Sequence, residues 1–252
     1  MANEITIDFG TFTLNNTNKV TVSDISTKEN KPVKTQKIPK TDGSVAETAT
    51  RESITISVKG DVAGSGYDDL RTNLDALKAA LQNGLQKFTT DDDRYLMAQM
   101  ESFDYSYSNI RLIAKWEATF IAHYPFWLSE TLHTDERTPT SGVGYTINNA
   151  GNAPTRVKVE VTAPAGGISD NIQMENTTRG ETFKYRGTVA ATKKLEVDNR
   201  VDTDDFQVLN DGSDDHPNFE GDFLMLSPGN NTIEYTGTAG ATVKLSWHDA
   251  WY

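Results

Sequence analysis

The chain has 252 residues, a formal net charge of −12 and no cysteine. Without thiols there are no disulfides, thiolate metal sites or cysteine nucleophiles, and the negative charge argues against a phosphate backbone as the main ligand. The first residues lack a basic segment followed by an apolar one, so we expect no secretory signal peptide. No uncharged apolar run approaches the ~20 residues of a membrane helix, so we expect no membrane span.

Short segments in the first sixty residues alternate Ile, Val, Phe or Thr with polar residues, which predicts strands. Residues 27–52 are polar and contain Pro32, Pro39 and an Asp42-Gly43 turn, which predicts an extended loop or a long hairpin. Strand character returns at residues 53–59, and Gly60 is expected to end that strand.

Lysines recur at every third position of the polar segment. A polyproline-II segment has three residues per turn, so such an arm would align these lysines along one edge. One interpretation is an arm that docks on the acidic surface of a neighbouring subunit; the other is a solvated loop that protects a sheet edge. The lysines are Lys28, Lys31, Lys34, Lys37 and Lys40, and the candidate intersubunit contacts are Lys31, Lys34 and Lys37.

One amphipathic helix is predicted at residues 65–84. Its apolar stripe recurs at spacings of three and four. Ser65 and Asp68 resemble a capping box, and Gly84 suits the C-terminal end. The stripe consists of Tyr67, Leu70, Leu74, Leu77 and Leu81.

The segment from Trp116 to Leu128, WEATFIAHYPFWL, predicts a buried strand. Trp116, Ala118, Phe120, Ala122 and Tyr124 share one face of a period-2 pattern. Pro125 has no N–H for a central ladder, so the strand is expected to end there. This strand, the others and the helix together predict an α+β first domain with a β-sandwich-like architecture.

Residues 130–144 are polar and contain two glycines and a proline, which is typical of a hydrated linker. We therefore predict two domains, 1–131 and 132–252. The second half contains short strand-like segments separated by turn residues and no helical pattern, which predicts a β-sandwich. The whole chain is predicted to be mainly β.

The sequence nominates no catalytic, cofactor-binding or metal-ligating residue. His123, His133, His216 and His248 are not spaced as a metal pair, and surface or interface positions account for them. The acidic runs at 91–93, 202–205 and 211–215 do not fit an EF-hand loop and are best interpreted as solvated turns. Nucleotide-binding and hydrolase motifs are absent from the sequence.

Aromatic residues near the C-terminus have two interpretations. Trp247 continues the inward set of its strand and is expected in the core. Trp251 and Tyr252 break the alternation; with Trp127 they are candidates for a domain junction or a glycan-stacking surface.

Several motifs occur together in the order of a known family. They include KIPKTDGSV, the helix YDDLRTNLDALKAALQNG, RYLMAQMESFDYSY, FIAHYPFW at Phe120–Trp127, NAGNAPTRVKV at Asn149–Val159 and SPGNN at Ser227–Asn231. In this order the chain resembles the distal tail proteins of long non-contractile tailed phages over nearly its whole length. It departs from the family at Pro39-Lys40-Thr41, where relatives often carry a glycine and an arginine.

The resemblance implies a ring-forming first domain, assembled as a homo-hexamer around the path of DNA and the tape-measure protein. It implies a second domain that is a galectin-like or carbohydrate-module-like sandwich facing outward. The implied partners are the tail tube protein, the tape-measure protein, the tail-associated hub protein and receptor-binding proteins. The implied location is the distal end of the tail of a virion assembled in the bacterial cytoplasm.

We therefore expect a structural, non-enzymatic hub protein without cofactors or specific nucleic-acid binding. Two alternatives remain open at this point. One is a carbohydrate-binding module for host-surface glycan, and the other is an enzyme acting on cell-wall polysaccharide, for which the sequence nominates no acid pair.

Overall fold

Strands make up most of the computed structural model, which describes residues 6–31, 35–37, 44–46, 51–90, 93–109, 112–169, 171–201 and 206–252. The chain divides into two units, Met1–Pro125 and Phe126–Tyr252. This division lies a few residues before the predicted boundary at residue 131. Among the described residues, every helix is too short or too polar to cross a membrane.

The first unit contains an α-helix, a short 3-10 turn and nine strands within its described ranges. The helix is α1 (Tyr67–Leu81), and the 3-10 turn is Asn16–Asn18. The strands are β1 (Ile7–Phe9), β2 (Phe12–Leu14), β3 (Val20–Asn30), β4 (Thr35–Lys37), β5 (Ser44–Ala46), β6 (Ser53–Ala63), β7 (Gln86–Thr89), β8 (Arg94–Tyr107) and β9 (Ile113–Ala122).

Strand β8 belongs to two antiparallel sheets of the first unit. Its first part pairs with β7, from Tyr95 opposite Thr89 to Ala98 opposite Gln86. Its second part pairs with β9, ending with Tyr107 opposite Ala114. One sheet has the order β2-β1-β7-β8 and the other has the order β3-β6-β9-β8. The long β8 therefore connects the two sheets.

The buried face of β9 is the one that the sequence predicts. Trp116, Ala118, Phe120 and Ala122 are almost inaccessible to solvent, and the same face also buries Ala114. The ring of Phe120 lies 5.0 Å from that of Phe9 and 5.3 Å from that of Phe88, measured between centroids. Aromatic pairs at this separation stabilise a core beyond the effect of their buried area alone.

The end of β9 differs from the prediction. The strand ends at Ala122, before Pro125, and a new strand begins at Trp127. The predicted linker at residues 130–144 largely consists of strands, because a partner strand from the end of the chain supplies the hydrogen bonds for residues 127–137. Its polar composition reflects mostly exposed or half-exposed side chains and not a hydrated linker.

Gly60 does not end its strand, which continues to Ala63. A Cβ on Gly60 would lie 1.8 Å from the carbonyl oxygen of Thr21 on β3. The β3–β6 register shifts between Val22 and Asp24, next to this contact. Glycine in a strand often marks a bulge or a close approach of another backbone, and both are present here.

Helix α1 confirms the predicted amphipathic pattern with shorter bounds. Four leucines are buried, at positions 70, 74, 77 and 81. Tyr67, which was expected in the same stripe, is 42% exposed. The helix packs its leucine side on β6, β8 and β9.

The start of α1 is held by Asp69, and not by Asp68 as the capping-box pattern predicts. The Asp69 carboxylate accepts hydrogen bonds from the backbone N–H of Ser65 (2.7 Å) and from its hydroxyl (2.8 Å). Lys19 forms a salt bridge with the same carboxylate at 3.0 Å. These contacts lower the pKa of Asp69 to about 2, with the Ser65 backbone as the largest cause. Gly84 has a φ of +74°, as suits a residue after a helix end.

The second unit contains strands and one 3-10 turn, His216–Asn218, within its described ranges. The strands are β10 (Trp127–Arg137), β11 (Val143–Asn149), β12 (Thr155–Thr162), β13 (Ile172–Asn176), β14 (Glu181–Tyr185), β15 (Lys194–Asp198), β16 (Gln207–Asn210), β17 (Ser213–Asp214), β18 (Phe219–Gly221), β19 (Met225–Leu226), β20 (Gly229–Thr236) and β21 (Thr242–Trp251).

These strands form two antiparallel sheets around one core, which confirms the predicted sandwich. One sheet has the order β10-β21-β12-β15-β16-β17, with β19 also paired to β12. The other has the order β11-β20-β13-β14-β18. Alternate residues of both sheets meet in the core, including Val159 and Leu245 of the first sheet and Phe183 and Tyr235 of the second. Trp247 is 6% exposed and belongs to this core, as predicted.

Replacing Phe120 by alanine should lower the free energy of unfolding of the first unit by about 3–5 kcal/mol, because it removes the ring between Phe9 and Phe88 and leaves a cavity. Urea denaturation followed by tryptophan fluorescence measures this loss. The Ile121→Ala variant is the matched control, since Ile121 is a half-buried neighbour outside the buried face of β9. Equal losses in the two variants would contradict the packing described for Phe120.

The Asp69 contacts should make the first unit sensitive to acid. The folded pKa lies below the ordinary value, so the charged form contributes stability above about pH 4, and this contribution is lost as the pH falls towards 2. We expect the Asp69→Asn variant to melt below the wild type at pH 6 and the difference to shrink by pH 2. Asp68→Asn alters the same helical turn without removing the Ser65 contacts and should change the melting temperature less. A constant Asp69→Asn difference across this pH range would refute the assignment.

Candidate assembly surfaces

The lysine segment contains a hairpin. β4 and β5 pair in antiparallel register, from Thr35 opposite Ala46 to Lys37 opposite Ser44. Lys28 lies within β3, opposite Thr55 of β6. The polyproline-II conformation is therefore wrong for these residues, because strand pairing supplies hydrogen bonds that a polyproline-II segment lacks.

The three candidate arm lysines differ in what the structure describes. Lys31 is exposed directly after β3, Lys37 is in β4, and Lys34 lies outside the described residues. A strand turns successive side chains to opposite faces, so a spacing of three does not align lysines along one edge. The hairpin supports the predicted long-hairpin alternative, and docking of these lysines on a neighbouring subunit stays a prediction.

β3 is an edge strand, since β6 is its sole partner among the described strands. It is eleven residues long, and most of its side chains are exposed or half-exposed. The backbone N–H and C=O groups on its outer edge can therefore receive another strand. Lys28, Glu29 and Asp24 give this edge charges of the kind that discourage indiscriminate pairing.

The face of the β3-β6-β9-β8 sheet that carries Lys59 and Glu117 is polar. A shallow cleft of about 430 Å³ lies on it, lined in part by Asp61, Asp104 and Lys115. Lys59 and Glu117 form a salt bridge at 3.1 Å across β6 and β9. The Lys59 ammonium, with help from the Ser57 hydroxyl, lowers the pKa of the Glu117 carboxyl. The charges on this face partly neutralise one another, as suits a solvated surface.

The C-terminal aromatics lie together in the second unit. Trp127 is opposite Trp251 in the β10–β21 register. The Tyr252 ring is 50% exposed and contacts Phe126 edge-on, with centroids 5.4 Å apart. Trp127 and Trp251 are half-buried, so only Tyr252 presents a largely open ring. Their assignment to a domain junction or a glycan surface stays a prediction.

Asp249, a buried carboxylate that the sequence did not nominate, connects β21 to β10. Asp249 accepts hydrogen bonds from the Trp247 indole N–H (3.2 Å) and the Ala150 backbone N–H (3.0 Å). Its other oxygen lies 3.0 Å from Nε2 of His133 on β10. Burial of a carboxylate is tolerated when donors surround it, and here they come from three separate segments. Ala150 is 99 residues from Asp249 in the chain and His133 is still further away, so these two partners leave no local sequence signal.

Each of the other three histidines lies within hydrogen-bond distance of another residue of its own unit. His248 Nδ1 lies 2.7 Å from the Ser129 carbonyl, and His216 Nδ1 lies 2.6 Å from Asp214. His123 Nε2 lies 3.3 Å from the Gln99 amide nitrogen. Over the described part of the chain, groups of three or more potential metal ligands are not found.

The acidic run at 211–215 is tied into turns. Asp215 accepts hydrogen bonds from the Tyr185 hydroxyl and the Asn218 amide, and Asp211 pairs with Lys193 at 3.0 Å. The tyrosine contact lowers the pKa of Asp215. The runs at 91–93 and 202–205 lie mainly or wholly outside the described residues.

The outward side of the β21-β12-β15 sheet carries a ladder of alternating charges. Lys194 lies 2.7 Å from Glu196 and 2.9 Å from Glu160, and these contacts raise its pKa, with Glu196 as the largest cause. Burial alone would raise the pKa of Glu196, but hydrogen bonds from Lys158 and Lys194 lower it. The ladder is completed by Lys244, 3.8 Å from Glu160. This surface is internally neutralised and offers little charge to a partner.

Together, the two units define a mainly β protein with a one-helix sheet unit followed by a β-sandwich. Residues 150–251 match the family described as siphovirus-type tail component, C-terminal domain. This match lies within the second unit, and over these residues it confirms the predicted resemblance to phage distal tail proteins. No curated protein matches the chain significantly.

Solved structures of phage proteins have the same fold. The Dit protein of phage SPP1, described as a paradigm of the hub of the adsorption apparatus in phages infecting Gram-positive bacteria, is similar with a TM-score of 0.74 and 16% identity, covering 98% of this chain and 99% of that one. A protein of the phage p2 baseplate in its activated conformation with Ca is similar with a TM-score of 0.57 and 10% identity, covering 98% of both chains. The corresponding structure with Sr gives a TM-score of 0.55 and 10% identity, covering 96% and 97%.

Proposed function

We propose that the chain is a structural hub protein at the distal end of a phage tail. The observation that carries this proposal is the end-to-end likeness to the SPP1 Dit hub protein, which covers both units. The family match of residues 150–251 supports it independently from the sequence. In this role the protein acts through its surfaces and has no catalytic function.

The first domain, residues 1–131, forms a six-fold ring, and the second domain, residues 132–252, faces outward. The exposed edge of β3 supports a ring, because an edge strand offers backbone hydrogen bonds to the next subunit. A head-to-tail contact of this kind closes into a ring when its rotation permits. The partners are then the tail tube protein, the tape-measure protein, the tail-associated hub protein and receptor-binding proteins.

The ring surrounds the path of DNA without binding it specifically. The net charge of −12 is compatible with this path, because a strongly acidic protein repels a phosphate backbone. The protein is assembled in the host cytoplasm and resides in the virion at the tail tip.

Glycan binding has weaker support than the hub function. Of the aromatic residues that the sequence nominates, Trp127 and Trp251 are half-buried and face each other across two strands. Sugar stacking requires an open ring face, which leaves Tyr252 alone. A cell-wall hydrolase has weaker support still, since Asp211 and Asp215 are engaged in turn contacts.

The purified chain should sediment as a six-copy species and appear as a ring with a central hole in negative stain.

On virions of the phage that encodes it, gold-labelled antibody against the chain should mark the distal end of the tail. Label on the capsid, or no label on virions, would overturn the hub function. Turnover of a host cell-wall preparation by the purified chain would overturn its non-enzymatic character.

The lysine arm is proposed to help the ring assemble by docking on the neighbouring subunit. The combined Lys31→Glu, Lys34→Glu and Lys37→Glu variant should require a higher protein concentration than the wild type to assemble. The difference should be largest at low salt, where charge attraction is least screened. Sedimentation velocity measures the shift. The matching triple arginine variant keeps the charge and should assemble normally. Unchanged assembly of the glutamate variant at low and moderate salt would refute arm docking.

A further inference from the structure

One edge of the sandwich in the second unit is long and uncharged. β11 has seven residues, VGYTINN, and none of them carries a charge. Its sole partner among the described strands is β20, and their register runs through the whole of β11 without a shift. A regular, uncharged edge of this length can receive another strand, because nothing in it interrupts or repels the pairing.

The other strands at sheet ends lack this combination of length, regularity and neutrality. β3 contains three charged residues and a register shift, and β10 contains four charged residues and a register shift. Short strands, charges and bulges are the means by which proteins prevent unwanted edge pairing. We therefore interpret the β11 edge as a binding surface. The remaining end strands among the described residues have two or three residues each and are β2, β4, β5, β17, β18 and β19.

Alternate residues of β11 present open backbone groups. Thr232 of β20 uses its backbone on the β13 side: its carbonyl accepts from the Thr177 N–H at 3.0 Å, and its N–H donates to the Thr178 hydroxyl at 2.9 Å. Thr146 lies opposite Thr232 in the β11–β20 register. Since Thr232 does not serve this pair, Thr146 directs its own N–H and C=O away from β20, as do the residues two positions before and after it. The outward groups belong to Gly144, Thr146 and Asn148.

Two carboxylates close to this edge face each other. Glu175 of β13 and Glu234 of β20 are directly opposite in register on the outward face of the sheet, and neither forms a salt bridge within the described part of the chain. Like charges in directly opposite positions destabilise a sheet. A cation supplied from outside the chain would therefore relieve an existing repulsion here.

The Glu234 carboxylate is accessible from the β11 edge. It lies near the start of β11, since a Cβ on Gly142 would be 4.0 Å from its Oε1 atom. Gly144 is opposite Glu234 in register and has no side chain to cover it. A Cβ on Gly144 would lie only 2.8 Å from Cγ2 of Thr232, so a larger residue would not fit there without a shift.

The basic side chains around this sheet are paired or lie farther from β11. Lys184 is on β14, two strands beyond β20, and lies opposite Glu220 of β18. Three arginines near the sheet each form a salt bridge with a carboxylate close by. Glu175 and Glu234 are therefore the uncompensated charges on the β11 side of the outward face. The arginine pairs are Arg137 with Asp135, Arg179 with Glu181 and Arg186 with Glu220.

We propose that β11 binds an extended segment of a partner protein that carries a lysine or arginine facing Glu234. Such a segment would satisfy the open N–H and C=O groups, and its residue opposite Gly144 would turn its side chain to the same outward face. Glu234 is then two strand spacings away, about 10 Å, which a long basic side chain and a glutamate together can span. A second copy of β11 fits less well, because its seven residues bring no cation to Glu234.

This contact goes beyond the proposed hub function and does not depend on it. It uses a strand of the second unit, whereas the ring is supported by the edge of β3 in the first unit. A chain that forms no ring can still bind the segment, and a ring can form from chains that do not bind it. The two proposals therefore fail separately.

Peptide binding to the intact chain tests the charge preference. The probe is the fluorescein-labelled peptide TVTVKVT, as long as β11, whose alternation places lysine and threonine on one face and valine on the other. Its matched counterpart is TVTVEVT. Fluorescence anisotropy should show at least tenfold tighter binding of the lysine peptide. Equal affinities, or no binding of either peptide at the highest soluble concentration, would overturn the proposal.

Charge reversal locates the binding site. The combined Glu175→Lys and Glu234→Lys variant should prefer TVTVEVT to TVTVKVT, because the cations are then on the sheet. A gain of binding also shows that the variant is folded. Glu136→Lys makes the same change at an exposed acid of β10 and should keep the preference for lysine. A preference that the double variant does not reverse would contradict the assigned position of the peptide.

A proline at Thr146 tests the backbone pairing. The Thr146 N–H points away from β20, so Thr146→Pro keeps the β11–β20 ladder but removes an outward donor. The lysine peptide should bind this variant at least tenfold more weakly, whereas Thr146→Ser should bind it like the wild type. Unchanged binding to the proline variant would refute edge pairing. A species of twice the wild-type mass that this proline abolishes would identify a second copy as the occupant and would also overturn the proposal.

Discussion

The double membership of β8 is the constraint on which the first unit depends. Its pairing with β7 positions Phe88, and its pairing with β9 positions Phe120, so the two rings meet only if one strand continues through both sheets. Phe9 of β1 completes the cluster from beyond β7. The strand can serve both sheets because the β8–β9 register shifts between Met100 and Ser102, where an irregularity bends the ladder. The same length carries Tyr105 and Tyr107 out to the exposed end of the sheet.

The second unit depends on the pairing of its last strand with two earlier strands. β21 lies between β10 and β12, so the last strand of the chain completes a sheet begun by the first strand of the unit. Near the end of this sheet the Asp249 carboxylate contacts Trp247, His133 and Ala150. A buried carboxylate is costly without donors, so its stability depends on all of these segments being in register.

Local periodicity explains which elements the sequence predicts well. The buried face of β9, the leucine side of α1 and the inward Trp247 follow from spacings of two or of three and four, which burial on a single face imposes. The sandwich follows from turn residues at short intervals. The capping pattern was one residue out, since Asp68 and Asp69 are both acids and only the backbone decides which carboxylate reaches Ser65.

Long-range pairing explains what the sequence does not predict. The polar stretch that was interpreted as a linker is a strand because β21, more than a hundred residues later, supplies its hydrogen bonds. The lysine segment likewise forms strands through pairing and not through its threefold spacing. Gly60 was interpreted as a strand end, but it is needed for the close approach of β3, which only the folded register creates.

The distribution of charge distinguishes the surfaces that remain available for assembly. On the sandwich, Glu160 and Glu196 are neutralised by lysines of adjacent strands, and on the first unit Glu117 is paired with Lys59. Such paired charges are already satisfied, so forming a new contact there would exchange one ion pair for another at little net gain. An exposed apolar group has no such partner to give up, and covering it removes area from water. We therefore expect sheet edges and exposed apolar side chains to provide the free energy of assembly of this acidic chain. Its charged faces then determine only which orientations of a neighbouring protein are repelled.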